Sequence, residues 1–248
     1  EVGVFGAMMM GLGSIIGTGV FVSIGIAAVV AGPAVLLAIA IGAGVALCNG
    51  LSSAQLAARN PVSGGTYEYG YRYLSPSLGF LAGWMFVCAK SASAATAALG
   101  FAGYCLNAFE QTDSGLLSPL AVFAVIVLTG IVLMGIRQSS AANIVIVSIT
   151  LFSLVFFVVS GLPTAFRDGA ENLTPFFGVT SAESKTPLAG LLEACALMFV
   201  AFTGYGRIAT LGEEIREPER SIPRTIIVTL FVTMVLYIVV GFVAVAAV

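Results

Sequence analysis

The sequence contains no histidine at all. That removes the usual imidazole ligand of zinc and haem and the most frequent general base, so neither a metal-dependent nor an acid–base enzyme is expected. Charge is almost as scarce, at 9% of residues, against roughly 25% in soluble domains. The net charge of −2 has no basic tail behind it, which leaves nucleic acid without an electrostatic partner surface. The four cysteines, Cys48, Cys88, Cys105 and Cys195, sit inside apolar runs without paired spacing. Such thiols pack as small hydrophobes rather than forming a disulfide framework or a metal site.

What the chain has is hydrophobicity: 59% of residues are apolar and mean hydropathy is +1.07. These values specify an all-α integral membrane protein. Seven apolar segments are expected, at 4–30, 33–58, 78–106, 117–136, 140–163, 188–210 and 222–248. Connectors alternate in charge. With the N-terminus in the cytoplasm, inner loops carry Arg59, Arg72, Arg137, Arg216, Arg220 and Arg224, and outer loops only Arg167 and Lys185. Acidic Glu110, Asp113, Asp168 and Glu171 then face outward. The positive-inside rule selects this orientation, in a plasma (inner) membrane. Glu1 is not a methionine and Val248 ends inside an apolar run, so the chain reads as a piece of a longer protein with no cleavable signal.

Glycine is concentrated where a membrane helix tolerates it least. Gly11, Gly13, Gly17 and Gly19 fall within nine residues of the first segment, each giving up ~1 kcal/mol of helix propensity relative to alanine. A break over Ser14–Thr18 accounts for this, because backbone groups freed at mid-membrane depth are tolerated where they line a cavity or meet a ligand. Close packing of helices across Gly13 and Gly17 is the simpler alternative. The sixth segment repeats the theme with Phe202-Thr203-Gly204-Tyr205-Gly206-Arg207, two glycines and a charge at depth. Segments one and six lie five apart and therefore run in opposite directions, as in inverted five-helix repeats whose broken helices hold a midplane substrate. The expected division is 1–165 for a first repeat, 166–187 for an outer loop, and 188–248 for the start of a second repeat.

Other polar groups lie at depth. Lys90 sits mid-segment three and Glu193 in the outer half of segment six. Lys90 is expected to face the bundle interior, since an intramembrane charge costs at least ~2.5 kcal/mol. Tyr67, Tyr69, Tyr71 and Tyr73 follow the second segment and suit the headgroup level.

The motifs Ile16-Gly17-Thr18-Gly19-Val20-Phe21, Ala31-Gly32-Pro33-Ala34, Pro61-Val62-Ser63-Gly64-Gly65-Thr66-Tyr67 and Glu213-Glu214 with Pro218, Ile222, Pro223 and Arg224 occur in that order along nearly the whole chain. Together they resemble the amino acid, polyamine and organocation transporter superfamily. The resemblance implies a leucine-transporter-like inverted-repeat fold with helices 1 and 6 broken, present here as a fragment of about seven transmembrane helices. It implies that backbone NH groups at Thr18 and Gly19, beside Gly17, hold a substrate carboxylate. Carbonyls near Ile15 and at Val200 and Thr203 would hold the ammonium, with Phe202 and Tyr205 flanking the pocket and Ser14 and Gly204 lying in the two breaks.

Proton-coupled relatives resemble one another in a helix-five lysine that is missing from Val147-Ser148-Ile149-Thr150. Coupling to H⁺ through Lys90, or to Na⁺ through Ser148 and Thr150, stays open, as do gating roles for Glu193 and Arg207. No other cofactor is implied. The implied activity is secondary active transport of amino acids or related amines by alternating access, as symporter, antiporter or exchanger. A membrane amino-acid receptor or channel is the alternative, and oligomeric state is undetermined.

Overall fold

A computed structural model describes residues 4–60, 62–111, 114–177, 186–210, 215 and 217–247. Glu1, Pro61, Asp113, Lys185, Glu213, Glu214, Arg216 and Val248, all used in the sequence reading, lie outside the described residues. Every extended element is helical. Among the described residues five helical stretches are long and apolar enough to cross a membrane, and Leu117–Leu133 is a shorter apolar helix. The first stretch, Val4–Arg59, has 56 residues; as one straight rod it would measure about 84 Å, far beyond a ~30 Å hydrocarbon core. It folds back at Gly32, whose φ of 56° and ψ of −142° suit a residue without a Cβ, and Pro33 opens the next turn. Two of the expected segments are thus two arms of a hairpin.

The chain forms two compact units, Glu1–Gly65 with Val145–Val248, and Thr66–Ile144. In the first unit, α1 (Val4–Thr18) continues as a π-helical turn at Gly19–Ser23 and then α2 (Ile24–Ala31), and the other arm is α3 (Val35–Arg59). The chain re-enters the first unit within α7 (Ile136–Asn172), at Val145, and continues through α8 (Pro187–Phe202), a 3₁₀ turn at Thr203–Tyr205, the short α9 (Gly206–Ala209) and α10 (Pro218–Ala246).

Glycine positions fix how these helices run. Gly11 lies against Thr229 and Gly19 against Tyr237, so α1 and α10 are parallel. Gly50 lies against Leu230 and Gly241 against Ile39, so α3 is antiparallel to α10. Gly11 also meets Ile208, and Gly19 meets Ala201, so α1 passes α8 and α9 in the opposite direction, as the five-segment offset requires. The core is the seam between them: Ile15, Ile16, Ile39, Met198, Phe202, Ile208, Ile222, Ile226 and Tyr237 are all fully buried.

Helix α7 runs to Asn172, past the expected start of the outer loop at residue 166. Its last turns are held by tertiary contacts. Gly169 faces Ala246, the Phe166 and Phe242 rings lie 6.2 Å apart, and Asn172 Nδ2 donates to the Ala246 carbonyl at 3.0 Å. The loop is correspondingly shorter than the sequence implied.

The second unit contains α4 (Thr66–Tyr73), α5 (Pro76–Ala108) and α6 (Leu117–Leu133). Ser75 caps α5 by accepting from the Leu78 NH at 3.3 Å, with Pro76 in the first turn. Gly70 and Gly79 let α4 and α5 close to backbone contact. The tyrosine run is not uniform: Tyr67, Tyr71 and Tyr73 are exposed, whereas Tyr69 is buried. The helical period turns one of the four inward, where a headgroup role does not apply to it.

Candidate functional site

The first unit brings the two glycine-rich stretches together at the crossing of α1 and α8. The expected opening at Ser14–Thr18 is not present, for these residues are the last turn of α1. The irregularity begins one residue later. Over Gly19–Ser23 the helix widens to π geometry, and the Ile24 NH donates to the Gly19 carbonyl five residues back. Span six does not open either; it tightens to a 3₁₀ turn at Thr203–Tyr205 and resumes as α9. Physically, a change of winding re-routes the ladder without abandoning it, which lets glycine-rich turns approach each other while most peptide groups stay bonded.

The 3₁₀ turn of span six packs by main chain against the last turn of α1. A Cβ on Gly204 would lie 2.6 Å from the Ser14 carbonyl carbon and 2.7 Å from Ile15 Cγ1. Backbone meets backbone there. A Cβ on Gly19 would meet the Tyr237 hydroxyl and lie 2.8 Å from its Cζ.

The carbonyls expected to receive an ammonium group already have donors. Ile15 O accepts from the Tyr237 hydroxyl at 2.6 Å, and Val200 O accepts from Thr203 Oγ1 at 2.7 Å and from the Thr203 NH. Phe202 is fully buried, its ring 4.9 Å from that of Tyr237. Tyr205 is buried too. Ser14, Gly17 and Val200 instead present exposed positions, and Thr18 and Thr203 are half-buried. The candidate residues therefore divide into a closed seam (Ile15, Gly19, Phe202, Gly204, Tyr205) and an outward face of the same turns.

The remaining candidates lie elsewhere. Lys90 is half-buried on α5, in the second unit, with its ammonium 5.6 Å from the centre of the Phe86 ring. Ser148 is exposed on α7, and Thr150 Oγ1 donates to Ile146 O of its own helix at 2.9 Å. Glu193 and Arg207 occupy exposed positions on α8 and α9 rather than the interior of this unit. Among the described residues no group of three or more His, Cys, Asp or Glu is placed to hold a metal ion.

The sequence placed a span at 222–248, but its reading drew no site residue from that helix, α10. Its buried face carries Thr225, Thr229, Thr233 and Tyr237 at four-residue intervals. That spacing puts all four hydroxyls on one helix face and is a signal readable in an otherwise apolar run. Thr233 Oγ1 donates to Thr229 O at 2.8 Å, whereas the buried Thr225 and Thr229 hydroxyl oxygens have no hydrogen-bond partner among the described residues.

A hairpin of apolar spans, an antiparallel crossing partner and a change of winding in each of the two crossing spans define a helical integral membrane protein. The chain belongs to the amino acid permease family, whose model matches residues 6–248. It is 42% identical over 247 residues to an uncharacterized transporter of Mycobacterium tuberculosis, covering 99% of this chain and 52% of that protein. It is 28% identical over 262 residues to a branched-chain amino acid permease of Bacillus subtilis, covering 97% and 53%. It is 27% identical over 255 residues to a methylthioribose transporter of the same organism, covering 96% and 53%. The chain spans about half the length of these curated relatives.

Proposed function

We propose that the whole protein to which this chain belongs is a secondary transporter of amino acids or related amines, working by alternating access in a plasma membrane with the N-terminus cytoplasmic. The observation that carries the reading is the antiparallel crossing at Ser14–Gly19 and Val200–Gly204, where each span packs against the other and then changes winding. In this reading residues 1–165 and the stretch from 188 onward belong to inverted repeats, and the crossing takes the amino acid's carboxylate and ammonium through main-chain groups. Among the relatives, the name of one specifies branched-chain amino acids, which fits recognition of the amino-acid moiety through backbone. Coupling to H⁺ or Na⁺ belongs to the same proposal, with Lys90, Ser148 and Thr150 as candidate participants.

Counterflow in proteoliposomes containing the full-length protein tests it. Preloaded unlabelled amino acid should drive accumulation of the labelled form for at least one of the twenty. Binding without accumulation would identify a receptor, passive equilibration a channel, and no response to any amino acid would overturn the assignment.

A further inference from the structure

Tyr237 is fully buried on α10, which is neither of the two spans that cross. Its hydroxyl nevertheless reaches into the crossing and donates to Ile15 O at 2.6 Å. The phenol lies against Phe202 on one side and occupies the space in front of Gly19 on another. A buried phenol needs an acceptor, and a carbonyl inside a helix has a second lone pair to offer. The acceptor it has taken is four residues before Gly19, the position at which the helix winding changes.

We propose that Tyr237 is the resident donor that keeps this crossing shut: its hydroxyl occupies the Ile15 carbonyl in place of a ligand's ammonium group, and binding swings the phenol away. This rests on the reading that the crossing is where an amino acid binds. The exchange is chemically one-sided. An ammonium makes a charge-assisted bond, stronger than that of a neutral phenol, so it displaces the hydroxyl. A ligand with no N–H at that position leaves a buried carbonyl lone pair unpaired and does not. Tyr237 therefore selects for amine-bearing ligands as well as closing the empty site. It also gives Gly19 a reason to be glycine that is independent of the ligand, since any side chain there collides with the phenol.

The test uses the full-length protein with its native cysteines replaced and one probe, Thr18→Cys, labelled by a small hydrophilic maleimide with no ligand present. Tyr237→Phe keeps the ring on Phe202 and removes the hydroxyl. Labelling should accelerate about three- to tenfold, the range of one net hydrogen bond; an unchanged or slower rate overturns the proposal. A second pair guards against misfolding. Gly19→Ala alone should sharply reduce the yield of folded protein, and combining it with Tyr237→Leu should restore it. A well-folded Gly19→Ala protein with Tyr237 intact would overturn the seating of the phenol. Finally, each of the twenty amino acids, and the des-amino acid corresponding to any that binds, is titrated against labelling. Tyr237→Phe should tighten amino-acid binding by the same factor and let the des-amino compound bind. Faster labelling with no response to any amino acid supports the lock and removes the transport reading. Amino-acid binding with no change from Tyr237→Phe removes the lock and leaves the transport reading standing.

Discussion

Replacing Gly204 by alanine sets two effects of opposite sign against each other. Alanine has the higher helix propensity, worth ~1 kcal/mol. Against it, the new Cβ would lie 2.6 Å from the carbonyl carbon of Ser14. Ordinary contact begins at 3.4 Å, so the two turns must part by about 0.8 Å. The obstruction is backbone, which has no rotamer to change. A gap of that size forfeits roughly a quarter to a half of each dispersion contact across it, and a buried side chain makes some tens of contacts worth ~0.1–0.2 kcal/mol each. Ile15, Ile16 and Phe202 line the seam and are fully buried, so the loss comes to about 2–4 kcal/mol, and sterics outweigh propensity. Gly50→Ala is the control. Its Cβ meets the Leu230 Cδ1 methyl at 2.5 Å, the end of a side chain that can rotate aside. Thermal denaturation of the full-length protein in detergent should rank wild type and Gly50→Ala close together and Gly204→Ala several degrees below both. Equal melting of the two variants, or a lower value for Gly50→Ala, would refute the backbone contact.

Thr225→Val and Thr229→Val each replace by a methyl a buried hydroxyl that has no partner among the described residues, so each should be neutral or stabilise by up to ~1–3 kcal/mol in the same melting assay; destabilisation would show that these oxygens hold a bound water or ion. Gly32→Ala forces a Cβ into φ 56°, ψ −142°. It should destabilise the hairpin by about 1–3 kcal/mol, read as a lower melting temperature, and an unchanged value would mean the turn has another geometry. Asn172→Ala removes the bond to Ala246 O and should cost about 0.5–1.5 kcal/mol, with faster hydrogen exchange over residues 166–172; unaltered exchange would place the end of α7 elsewhere.

Much of this arrangement was legible in the residues. Apolar length marked the spans, Ala31-Gly32-Pro33 marked the hairpin, and the five-segment offset gave opposite directions to the two glycine-rich stretches. What misled was the conformation at their centre. Glycine density reports that a helix is cheap to perturb, and an opened loop, a π turn and a 3₁₀ turn all satisfy that signal. The outcome is decided by what packs opposite, here Ser14 and Tyr237. The end of α7 was hidden for a similar reason, because polar residues after Pro163 look like a loop until Phe242 and Ala246 are seen to hold them. Tyr237 escaped because its hydroxyl's acceptor is 222 residues away in sequence.

A density map of the full-length protein with an amino acid bound bears on the crossing and on Tyr237 at once. The account predicts the ligand between Ser14–Gly19 and Val200–Gly204, its ammonium on the Ile15 carbonyl and the Tyr237 phenol moved off it. A ligand bound elsewhere, with α1 and α8 still in contact at Gly204, would contradict it.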